Sequence, residues 1–61
     1  MIIFKDTNAV GEYELSIAKN SKQPKLIIGT FNDIPKMNEA YEMIKATLRA
    51  LNKKVQVVDN I

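Results

Sequence analysis

Carboxylates at short spacing are the groups in this chain that could do acid–base or metal chemistry: Glu12 with Glu14, and Glu39 with Glu42. On an extended chain Glu12 and Glu14 project from one side, as a metal ion or a general acid–base pair would require. On a helix, Glu39 and Glu42 are surface neighbours. Neither pair has the partners that would complete a centre. The 61 residues include no His and no Cys, which removes the commonest general base, the commonest metal ligand and the thiolate nucleophile. The two glycines, Gly11 and Gly29, stand apart, so no glycine-rich loop is present to cradle a phosphate. Both acidic pairs read as solubilising charge. The sequence predicts a non-catalytic protein with no metal and no cofactor.

Positive charge is the other chemistry on offer. Lys19, Lys22 and Lys25 surround a polar stretch, and Lys45 and Arg49 project from one flank of a predicted helix with Glu42 nearby. Together these five residues are the candidates for contact with nucleic-acid phosphates. Against that reading, the nine Lys and Arg are balanced by seven Asp and Glu, a net charge of +2, well short of the dense basic patch of a nucleic-acid binder. The two Tyr and two Phe form no base-stacking motif. Lysines on loops and strand edges also have an ordinary role in discouraging unwanted strand pairing, and Glu42 with Lys45 is a favourable helical pair.

The elements that must position these groups are legible from periodicity. Ile2 to Lys5 is a short β-type run, followed by the turn formers Asp6-Thr7-Asn8-Ala9-Val10-Gly11. Tyr13, Leu15 and Ile17 alternate with Glu12, Glu14 and Ser16, which predicts a strand over 12–19 with one face buried and one wet. Asn20 to Pro24 is a loop of hairpin length, and Lys25 to Phe31 is a third strand. A helix then begins near Asn32-Asp33-Ile34-Pro35, where Asn32 or Asp33 can cap it and Pro35 suits its first turn. Met37, Ala40, Tyr41, Ile44, Leu48 and Leu51 form its apolar stripe, Glu39 and Lys53-Lys54 suit its dipole, and Asn52 is a plausible left-handed end. Lys54 to Asp59 reads as a closing strand. The fold class is therefore α+β: a three-stranded antiparallel meander, one amphipathic helix packed on one face, and a C-terminal strand, βββαβ, in a single domain over 1–61. One placement sets the last strand beside the first and parallel to the third.

Size then becomes the constraint. A chain this short buries only about 60% of the surface its unfolded form exposes, and small domains usually need a disulfide, a metal or a partner subunit. Without Cys or His, oligomerisation is the remaining route. The strand over 25–31 carries apolar groups on both sides, Leu26 and Ile28 against Ile27 and Phe31, yet one helix can cover only one face. Ile3, Leu26 and Ile28 are accordingly expected on a partner-binding sheet face or edge. Met43, Ala46 and Ala50, beside the helix stripe, form a second candidate strip, although Ala also favours helices without any further purpose. No apolar run approaches the roughly 18 residues needed to span a bilayer, and the first residues lack the flanks of a secretory signal. The expectation is a small cytoplasmic protein-binding regulator or inhibitor, of the size carried by phages and mobile elements. It would act as a homodimer by occupying a partner protein, with nucleic-acid binding as the alternative.

Overall fold

The computed structural model describes all 61 residues, Met1–Ile61. Five elements follow in order: β1 (Ile2–Thr7), β2 (Tyr13–Ala18), β3 (Leu26–Phe31), α1 (Ile34–Ala50) and β4 (Gln56–Asp59). They form one four-stranded sheet, β3-β2-β1-β4, with a single helix. The βββαβ expectation holds, including the meander and the placement of β4 parallel to β1 at the sheet's far side. Parallel pairing needs a long crossover, and α1 provides it. The strand bounds shift from expectation: the first strand runs on to Thr7, the last starts at Gln56 rather than Lys54, and one residue is trimmed from each end of β2 and from the start of β3.

Local chemistry sets these elements. Asn8 closes the β1–β2 turn: its Oδ1 accepts from the backbone N–H of Val10 at 3.2 Å and of Glu12 at 2.9 Å. Gly11 supplies the positive φ that this turn requires. Asp33 is the residue that caps α1, its Oδ1 accepting from the Lys36 N–H at 2.8 Å. At the other end Asn52 adopts φ 58°, Asn52 N–H donates to Arg49 O, and Lys53 N–H donates to Leu48 O. That pair of bonds is the Schellman ending, and it reverses the chain so abruptly that Leu51 cannot follow the helix stripe inward. Leu51, expected in the core, is 63% exposed. Glu39 lies beyond the first turn, and Arg49 is the basic residue of the last turn.

The core lies between α1 and one face of the sheet. Ile3, Leu15, Met37 and Tyr41 form its centre, with Tyr13, Ile17, Phe31, Ala40, Ile44, Leu48 and Val55 packed around them. Each fully buried apolar side chain of this kind contributes about 1.5–3 kcal/mol. Only six of the 61 residues are buried, so the core that holds this sheet together is small. Ile3 is one of them at 0% exposure. Its expected role on a partner-binding face is thereby overturned: its pairing with Ile17 turns it toward the helix, where Met37 and Tyr41 enclose it.

A β-bulge explains the apolar groups of β3. Leu15 pairs with Gly29 and Ser16 with Ile27, leaving Ile28 as an extra residue without a partner on β2. The alternation read from the sequence, with Leu26 and Ile28 opposite Ile27 and Phe31, therefore breaks at Ile28. Phe31 pairs with Tyr13 on the helix side, its ring folded back over Gly29 at the distance a Cβ there would have from Phe31 Cζ, 3.4 Å. Ile27 shares the opposite face with Ser16.

Candidate protein-binding surfaces

α1 leaves β3 at Phe31 and returns toward the start of β4, so it runs antiparallel to β3 and lies over β2 and β3. At about 100° per residue, Met43, Thr47 and Ala50 fall on the helix flank toward the β3 edge, while Lys45, Arg49 and Glu42 fall on the flank toward β1. Between the β3-side flank and the sheet is an open apolar groove of about 410 Å³, lined by Ile17, Ile28, Met43, Ile44 and Thr47. The Thr47 hydroxyl is occupied in donating to Met43 O at 2.9 Å, which keeps the groove apolar.

Of the residues expected at a partner surface, Ile28 and Met43 meet in this groove, and Leu26 lies on the same strand at 66% exposure. Ala46 and Ala50 are exposed but do not line it; Ala46 points away from the sheet and stands apart from the others. Ile27, at 59% exposure, belongs with the surface on the strand's other side. The alternation sets Ile27 opposite Leu26, as observed, but it does not say which of the two sides the helix covers; the register with β2 decides that.

The second face of the sheet is covered in part by the chain itself. Lys25 lies across it, Nζ 4.1 Å from the centre of the Phe4 ring and 3.6 Å from Asp6 Oδ2. Asp6 stands directly opposite Glu14, and the Lys25 ammonium together with Asn60 Nδ2, 2.6 Å from Asp6 Oδ1, offsets the repulsion between those carboxylates. The β2–β3 loop bounds a cleft of about 610 Å³ whose floor is Ile2, Phe4 and Val58 and whose rim includes Lys19, Asn20, Ser21, Gln23 and Lys25. Lys19 has no ion-pair partner.

The five basic candidates are not brought together. Lys19 and Lys25 rim the cleft and Lys22 sits on the loop, its N–H held by Asn20 Oδ1 at 2.9 Å, whereas Lys45 and Arg49 are on the helix layer across the sheet. Lys45 is engaged there: its Nζ is 3.2 Å from Glu42 Oε1 and 4.8 Å from the centre of the Tyr41 ring, with Lys5 Nζ at 4.0 Å from the same ring. The hydrogen bond to Glu42 raises the Lys45 pKa above that of an ordinary lysine, with partial burial opposing it.

Glu12 precedes β2 and takes part in the turn, Oε1 accepting from Asn8 Nδ2 at 3.2 Å, while Glu14 is within the sheet opposite Asp6. No three His, Cys, Asp or Glu are grouped to hold a metal ion, and no helix is long and apolar enough to cross a membrane. Comparison with protein-family models, curated proteins and solved structures gives no match to this chain.

Proposed function

We propose that this chain is a small non-catalytic protein-binding module, a cytoplasmic regulator or inhibitor that acts by occupying a partner protein and does so as a homodimer. The observation that carries the reading is the exposure of large apolar side chains on two separate surfaces of a domain with a very small core. Leu26, Ile28 and Met43 lie exposed along one side, and on the sheet's second face exposed Val58 joins half-buried Ile2 and Phe4 in the floor of the cleft. Contiguous exposed apolar surface of this kind marks association sites. Two such surfaces provide for both self-association and capture of another protein.

The cleft is the better fit to an outside partner, because its apolar floor sits beside the ammonium groups of Lys19 and Lys25. A protein segment carrying an apolar side chain next to a carboxylate is complementary to it. The test is capture from native lysate on immobilised wild-type protein and on Val58→Glu, with enriched proteins identified by mass spectrometry. Val58 is 36% exposed, so this change alters the cleft with little effect on the core. A protein retained by the wild type and at least tenfold depleted on the folded variant supports the reading. Equal recovery on both, or salt-sensitive nucleic acid as the sole material retained, overturns it.

A further inference from the structure

We infer that the outer edge of β3 is the dimerisation element: two copies pair β3 to β3 antiparallel about a two-fold axis. The result is a continuous eight-stranded sheet with the two α1 helices side by side on one face. This inference rests on the homodimer in the reading above and assigns its surface.

The sheet has two free edges, and they are protected very differently. β4 is four residues long, contains Asp59 and follows Lys53-Lys54, and a short strand with flanking charge is a poor template for pairing. β3 is six residues long, Leu26-Ile27-Ile28-Gly29-Thr30-Phe31, with no charge and no proline. Its outward N–H and C=O groups have no neighbouring strand in this chain. Lys25, the residue best placed to guard the edge, is instead drawn over the second face to Phe4 and Asp6. The bulge does not shield the edge with charge; it re-aims Ile28 toward Met43, so that the strand edge and the helix flank form one apolar side.

The absence of charge along this edge suits a second copy, in antiparallel orientation. The strand is flanked by Lys25 at one end and Asp33 at the other. Both are engaged within their own chain, Lys25 with Asp6 and Asp33 with the Lys36 N–H and ammonium, so a two-fold axis near Gly29 brings no like charges together along the uncharged ladder. The same axis runs the two helices antiparallel, so that their dipoles oppose. Met43, Thr47 and Ala50 lie on the flanks that meet. A second copy is also the partner always present at folding, which suits a chain with six buried residues and no cross-link.

The experiment is light scattering on a sizing column across a hundredfold concentration range, with circular dichroism to verify folding, on wild type, Ile27→Lys, Met43→Glu and Val58→Glu. It is paired with cross-linking by a short bis-maleimide, which spans the diagonal from position 28 to position 28 across the axis, of Ile28→Cys and Val58→Cys, each of which then carries the chain's one cysteine. The inference expects a wild-type dimer whose dissociation constant rises at least tenfold in Ile27→Lys and in Met43→Glu but not in Val58→Glu, and a covalent dimer from Ile28→Cys alone. Met43 is a helix-surface residue, so its variant reports on the interface even if Ile27→Lys fails to fold. A dimer unmoved by the edge and helix variants, or cross-linked through Val58→Cys, overturns the β3 assignment and leaves the homodimer standing. A wild-type monomer throughout the range overturns both.

Discussion

Ser16 is the residue whose chemistry is least at ease in this fold. Its side chain is 1% exposed, and Oγ has no hydrogen-bond partner among the protein's groups. It pairs with Phe4 on one side and Ile27 on the other, at the place where the β3 bulge interrupts the register. A buried hydroxyl without a partner forfeits its hydration and gains little in return, at a cost of roughly 1–3 kcal/mol. Ser16→Ala removes that hydroxyl and leaves almost the same shape. The expected outcome is a gain of about 1 kcal/mol in urea unfolding, seen as a higher midpoint with unchanged slope. A loss of stability would show that the hydroxyl is satisfied in solution. The lysines give the opposite lesson. Lys25 read from sequence as free charge, but it is held by Asp6 and the Phe4 ring, which only the folded chain brings near, whereas the Glu42 partner of Lys45 was legible from helical spacing.

At the scale of elements, the helix and its ends were almost wholly legible, since capping and periodicity are local. Asp33, Pro35 and the Met37-to-Leu48 stripe sit where the spacing put them, and Asn52 takes the left-handed end. Leu51 was misplaced because the 3.6-residue stripe continues through it although the backbone does not. The strands were legible in number and order, whereas the faces of β3 were not. Its four apolar side chains fit either side, and the choice depends on one extra residue, Ile28, whose position is set by pairing with β2. Ile3 was misjudged for a related reason: a short apolar run with no alternation does not declare its inner side. The C-terminal end of α1 offers a direct check. Asn tolerates φ 58° better than a residue with an aliphatic Cβ, and the left-handed conformation costs such residues roughly 1–2 kcal/mol. Asn52→Ala is expected to destabilise the protein by about 1 kcal/mol while Asn52→Gly is neutral or slightly stabilising. Thermal unfolding of the two variants side by side measures the difference, and equal midpoints would mean that this ending does not hold the crossover.

For the whole molecule, the question is how a 61-residue chain with six buried residues stays folded. Net stability in domains of ordinary size is only about 5–15 kcal/mol, and this chain lies at the small end of that range of sizes. α1 covers one face of the sheet over β2 and β3 and reaches β1 through Ile3 and Lys5, so β4 is exposed along its whole length and Val57, aligned with Ile3, is left 39% exposed. The second face is covered only in part, by Lys25 and the β2–β3 loop. A subunit interface would supply the apolar burial that the single chain lacks, and it would do so through mass action. When folding and association are linked, the folded state is favoured by higher protein concentration, whereas an autonomous monomer unfolds at a temperature independent of it. Wild-type protein is therefore expected to melt several degrees higher when its concentration is raised a hundredfold, with circular dichroism in cells of different path length giving comparable signals. Ile27→Lys, which places a charge on the β3 edge, is expected to melt at the same temperature across that range and below the wild type at the high end. Identical concentration dependence in both proteins would separate stability from the β3 edge, and no dependence in either would mean that the small core suffices by itself.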